Sequence, residues 1–277
     1  MKFTLLLPLA GLLMPASATD ENLGPDLFWI LRNGYQIESR LENHPGSSVL
    51  ATGRQFLGRP YRAGSLDADN AEERLVARCD GFDCLTFIEN SVAIMHSLRS
   101  NDRASYPANL EKLRYRAGKR DGYASRLHYF TDWILDNAAL GLVRDITAEL
   151  GGIPDARPIH FMTTNRGSYQ ALADDRLFQA LKRVEARLTQ EKRFYIPKAE
   201  VAAVVPKLEC GDIIAITTGI DGLDVSHVGL VYRNPKGEVH LLHATRSGGS
   251  VQVTRLPLAA YLADNPSMTG IKVARPL

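Results

Sequence analysis

The sequence predicts an α+β fold, on three observations. A segment with helical apolar spacing opens at Cys84, β-branched runs separated by turn residues fill the last third, and no internal repeat or low-complexity tract joins the two.

The helix is legible in "DGFDCLTFIENSVAIMHSL", residues 80 to 98. Leu85, Ile88, Val92 and Met95 recur at spacings of three and four, and either Asp80 or Asp83 can cap the free N–H groups. Thr86 with Glu89 is a second capping-box candidate. Upstream, a helical region is expected over 26–41, followed by the Gly/Pro-marked turn segment "LGRPYRAGSLD" at 57 to 67. In the middle third, "SRLHYFTDWILDNAAL" and "DDRLFQALKRVEARLTQ" read as helices around a loop or short-strand stretch. Residues 97–200 are therefore expected to form a helical insertion or flank. The last third reads as an antiparallel meander of strands at 211–218, 225–233, 238–246, 250–256 and 270–277.

The chain has 277 residues, 45% of them hydrophobic and 23% charged, which suits an ordinary globular protein. A formal charge of +2, from 33 basic and 31 acidic residues, gives no footing for a nucleic-acid partner or a polybasic membrane contact. "MKFTLLLPLAGLLMPASATD" reads as an export signal: Lys2, an apolar run from Phe3 to Met14, then Ala16-Ser17-Ala18 as the cleavage site. That run falls short of the roughly 20 apolar residues a bilayer span needs, so stable membrane insertion is not expected. The expected product is a chain of residues 19–277, forming one domain, in the periplasm or secreted.

Outside the cytoplasm the cysteine count carries weight. Cys79, Cys84 and Cys210 are an odd number: pairing of Cys79 with Cys210 frees Cys84, whereas pairing of Cys79 with Cys84 masks it. A cysteine at a helix start is well placed to become a nucleophile, since a helix N-terminus and a neighbouring imidazolium both favour the thiolate. His227 in "SHVGLVY" and His243 in "LLHAT" lie on consecutive predicted strands joined by "RNPKG". A three- or five-residue loop puts both rings on one face, opposite each other if position 232 faces 238; a four-residue loop separates them. With the first parity, His227 can serve as base toward Cys84 and His243 can orient it. Gly229 leaves room for a substrate on that face.

These residues stand in a succession that resembles a known family. "FLGRPYRAGSL", "DGFDCLTFIEN", "DGYASRLHYFTDWI", "YIPKAEVAAVVPKLECGDIIAITT", "GLDVSHVGLVYR" and "LLHATRSGG" are similar, in that order over residues 50 to 277, to the bacterial N-acetylmuramoyl-L-alanine amidase-like family within the NlpC-type papain-like cell-wall cysteine peptidases. The resemblance implies a papain-like fold, a nucleophile helix packed on an antiparallel sheet, and cleavage of an amide in peptidoglycan or its muropeptide fragments without a cofactor or metal. It also implies roles: Cys84, His227 and His243 in catalysis, Tyr61 as donor to the oxyanion, and Asp83 and Ser226 shaping the pocket. Arg126, His128 and Tyr129, from a signature outside the core, are expected to line the cleft.

Three alternatives differ in kind. A stem-peptide endopeptidase would use the same thiol on another bond. A zinc amidase would recruit His160, His227 and His243, although no H-E-x-x-H motif is present. A cell-wall binding module would have no use for a complete Cys–His–His set.

Overall fold

A computed structural model describes residues 31–34, 36, 44–66 and 73–277. The export signal, and most of the helix expected over 26–41, lie outside the described residues.

The centre of the fold is an antiparallel sheet. Its strands are β1 (Val143–Asp145), β2 (Ile153–Pro154), β3 (Phe194–Pro197), β4 (Ile213–Thr218), β5 (Val225–Arg233), β6 (Val239–Thr245), β7 (Ser250–Val253) and β8 (Met268–Pro276). They run in the order β2-β3-β8-β4-β5-β6-β7, with β1 also pairing with β8. The expected meander holds for β4 to β7. The last strand departs from it: β8 returns across the sheet to lie beside β4 instead of following β7. The middle third is not helical throughout, because it supplies β1, β2 and β3 to the β8 edge.

Alternation along the strands gives the sheet two apolar faces. Ile213, Ala215, Val228, Leu230, Leu242 and Ala244 join one core, and Ile214, Ile216, Val231, Val239 and Leu241 join the other. The first core is closed by α1 (Pro45–Arg54) and α2 (Cys84–Arg99), through Val49, Phe87, Ile88 and Val92. The second is closed by Val201, Val204 and the later helix Leu258–Ala263. Because α2 is enclosed on nearly all sides, Glu89, Asn90 and Ser91 are buried along with its apolar stripe.

Beyond α2 come α3 (Tyr106–Arg114), α4 (Phe130–Ala139), α5 (Asp175–Gln190) and α6 (Leu258–Ala263). The Arg114 Nε donates to Glu89 Oε2 at 2.7 Å, tying α3 to α2. The helix expected from Ser125 starts only at Phe130. Ahead of it, Arg126 has extended backbone, and the Leu127 N–H donates to the Arg114 carbonyl at 2.9 Å. Tyr129, Ile159, Met162, Leu172, Leu181 and Leu188 form a third, smaller core under α5. Asp132 of α4 takes hydrogen bonds from Arg116 and Arg187, fastening α5 to the body.

Candidate active site

Asp83 is the N-cap of α2, and Cys84 is the first helical residue. The Asp83 side chain accepts the Thr86 N–H at 2.8 Å, and the Thr86 hydroxyl accepts the Asp83 N–H at 3.0 Å. The capping box is thus Asp83 with Thr86. Glu89 is taken by Arg114, and Asp80 pairs with Arg62 and Arg78. The cap sets Cys84 at the start of α2, where the nearby backbone of Val228, Leu85 and Cys84 itself favours the thiolate.

Val228 follows His227 on β5, so the sulfur meets the sheet beside the first histidine. The sheet is open there. Pairing of β5 with β6 ends at Leu230↔Leu242, while Val225 and His227 to Leu230 pair with β4. A register shift between Ile216 and Thr217 gives His227↔Ile216 and then Val225↔Thr217, leaving exposed Ser226 as the bulged residue. A bulge next to a site re-aims the neighbouring side chain.

The hairpin between β5 and β6 closes on Arg233↔Val239, a five-residue loop, so both histidines face the same way. They are offset by two residues from the directly opposed arrangement. Tyr232 pairs with His240, not 238, and continuing that register sets His243 opposite Gly229. The offset still brings the rings together: His227 Nε2 lies 2.7 Å from His243 Nδ1, with the planes at 75°. Gly229 makes this possible, since a Cβ there would stand 3.1 Å from the Cβ of His243.

All three cysteines are free thiols. The Cys84 thiol is pushed up to about 12 by burial and by the Asp83 carboxylate, against the opposing pull of the nearby backbone of Val228, Leu85 and Cys84. The sequence pattern pointed to a depressed value. Enclosure and an adjacent negative charge outweigh the helix terminus here. Burial holds the imidazoles neutral as well: His227 is lowered to about 3, with His243 adding to the effect, and His243 to about 4. At rest the thiol and both rings are held neutral.

Tyr61 lies on the same side as the sulfur. Its backbone N–H donates to the Gly249 carbonyl at 2.8 Å, and it bridges to Phe82. Its hydroxyl is raised by burial and by Cys84 and Asp83, with Arg246 acting in the opposite sense. Arg246, in the exposed turn after β6, carried no signal in the sequence that marked it. Next to Asp83 is a cavity of about 150 Å³ lined by Asp83, Leu85, Glu89, Arg114, Arg126 and His128, among others. Arg126 and His128 therefore reach the neighbourhood of the N-terminal turn of α2. Arg126 is itself engaged with Glu73 and the Leu66 carbonyl, and His128 with the Tyr123 carbonyl at 2.8 Å. Tyr129 does not line this cavity. It is buried in the third core, donating to Glu185 at 2.7 Å and accepting the Met162 N–H at 2.8 Å.

His160 stands apart from the histidine pair, against Thr164 and Asp221. Among the described residues no group of three or more His, Cys, Asp or Glu side chains is placed to hold a metal ion.

The model of the N-acetylmuramoyl-L-alanine amidase-like family matches residues 51–271. The chain belongs to that family. Among solved structures it is similar to an N-acetylmuramoyl-L-alanine amidase from Bacteroides uniformis, at 36% identity and a TM-score of 0.80, covering 84% of this chain and 99% of the other. A Bacteroides fragilis structure provisionally named a xylanase matches at 36% identity and a TM-score of 0.72, over 80% of this chain and 98% of the other. A Legionella pneumophila structure at 21% identity shares the fold, with a TM-score of 0.64, over 91% and 95%. No match was found among curated proteins. Membership of the amidase-like family supports a hydrolase whose substrate is peptidoglycan. Among the described residues no helix is long and apolar enough to cross a membrane.

Proposed function

We propose that the chain is an exported, papain-like cysteine amidase of the NlpC type that cleaves the N-acetylmuramoyl–L-alanine bond through Cys84, His227 and His243. One observation carries this reading. The backbone of Val228, the residue after His227, is near enough to Cys84 to favour its thiolate, while the His227 Nε2 is bonded to His243 Nδ1.

The tautomers follow from that bond. If the His227 Nε2–H donates to a bare His243 Nδ1, the His227 Nδ1 is left as an acceptor for the thiol proton. Because thiol and ring are both neutral at rest, proton transfer accompanies attack. Nδ1 takes the proton as sulfur bonds to the carbonyl carbon, and the C=O electron pair moves onto oxygen. The Cys84 N–H and the Tyr61 hydroxyl donate to that oxyanion, a class of contact whose loss costs roughly 10²–10³ in rate. Collapse breaks the C–N bond, and His227 returns its proton to the leaving amine. A water then attacks the thioester with His227 again as base, releasing the acid and restoring the thiol. Asp83 and Ser226, at the cap and the bulge, flank the entry, and the cavity reached by Arg126 and His128 extends the surface available to a sugar–peptide.

Product analysis tests this. Purified peptidoglycan and soluble muropeptides are treated with wild type and with Cys84→Ala, and the products are weighed by mass spectrometry. Release of the intact peptide from the sugar by wild type alone is the expected result. A shortened stem would transfer the same thiol to an endopeptidase, and binding without cutting by wild type would reduce the chain to a cell-wall module.

A further inference from the structure

The helix α6 packs against the sheet face that carries His243, and one of its side chains meets that ring. The Tyr261 and His243 centroids are 5.8 Å apart, with the planes at 83°, an edge-to-face contact. Opposite His243 on β5 is Gly229, bare backbone that offers no side chain to hold the imidazole. His243 is only 2% exposed, whereas Tyr261 is half-buried. Among the described residues none hydrogen-bonds the Tyr261 hydroxyl, so its contribution to His243 comes from the ring.

We propose that Tyr261 is a positioning residue that fixes the His243 imidazole with its Nδ1 toward His227. The inference rests on the catalytic reading above and deepens it. His243 can orient His227 only while its Nδ1 stays bare and aimed. A ring free to turn would present either nitrogen and would meet water. The ionisable groups around it are His227 from β5 and Tyr261 from α6, with Cys84 of α2 close enough to raise the Tyr261 hydroxyl; β7 pairs Gln252, which does not titrate, with His243. None of these supplies a negative charge at neutral pH. Enclosure, to which Tyr261 contributes one wall, therefore keeps His243 neutral down to about 4.

The test compares wild type with Tyr261→Leu and Tyr261→Phe by NMR titration of the histidine rings and by steady-state kinetics on muropeptides across pH. In Tyr261→Leu, the His243 titration is expected to move up toward the ordinary range near 6.5. Its kcat at neutral pH should fall roughly three- to tenfold, with KM little changed. Its acid limb should rise with the titration, because protonated His243 cannot accept from His227. Tyr261→Phe, which keeps the ring, should recover most of the loss. If Tyr261→Leu does not fold, Tyr261→Met, closer to the original volume, takes its place. An unmoved His243 titration would overturn the proposal, as would a Phe variant as impaired as the Leu variant. Turnover by Cys84→Ala would instead sink the catalytic reading and leave the titration result standing.

Discussion

His227 and His243 are joined ring to ring, Nε2 to Nδ1 at 2.7 Å. This bond occupies one nitrogen of each ring, and under the proposed mechanism the remaining nitrogen of His227 serves the thiol. Removing His227 should therefore cost more than removing His243. His227→Ala is expected to lose about 10²–10⁴-fold in kcat/KM, the usual span for a general base, with His243→Ala at the lower end. Initial rates on purified muropeptides check the ranking; equal losses, or a larger one at 243, would contradict it.

The thiol offers a second test, independent of substrate. With Cys84 pushed up to about 12 and His227 down to about 3, the free protein holds no standing thiolate–imidazolium pair. Iodoacetamide labelling of Cys84 should then quicken about tenfold per pH unit from 7 to 10, tracking the thiolate fraction. Asp83→Asn should label faster at each pH, since Asn still caps the helix while the neighbouring negative charge is gone. A rate shelf at pH 5–7, the mark of a preformed ion pair, would count against this account.

Acid should unfold the protein through its histidines. His128 and His227 are lowered to about 3, and His243 to about 4, against an ordinary value near 6.5. Between those limits the unfolded chain binds more protons than the native one, so stability rises with pH across that window and is lost as pH falls through it. Urea midpoints are expected to be level above pH 7 and to drop steadily from about 6.5 toward 4. A midpoint constant down to pH 5, above the range where carboxylates titrate, would refute burial of neutral rings.

Glu89 and Arg114 make a fourth case. Both side chains are 1% exposed and bonded at 2.7 Å, with the Arg114 Nη1 donating to the Val76 carbonyl at 2.6 Å. Removal of one partner strands the other charge in the core, so Glu89→Ala is expected to cost about 3–5 kcal/mol in denaturant unfolding. A loss under about 1 kcal/mol would mean that Arg114 finds water.

Much of this was legible along the chain. The spacing of Leu85, Ile88, Val92 and Met95 marked α2, the alternating β-branched runs marked β4 to β7, and Cys84, His227 and His243 stood out by type and order. Tyr129 lies apart from Arg126 and His128 because proximity in sequence says nothing about direction. The backbone is extended at Arg126 and Tyr129, and a helix starts only at Phe130, so Tyr129 turns into a separate core. Tyr261 and Arg246 left no trace, since neither belongs to a periodic pattern and each matters only through a partner distant in the chain.

The sequence by itself determined the helix at Cys84, the strands β4 to β7 and which side chains could carry the chemistry, because periodicity, capping and residue type are local properties. Only the tertiary structure decided the two-residue offset between β5 and β6, the return of β8 beside β4, and the neutral state of the thiol. Those depend on pairing register, chain crossover and burial. Each is fixed by contacts between residues far apart in the chain, and no local pattern encodes them.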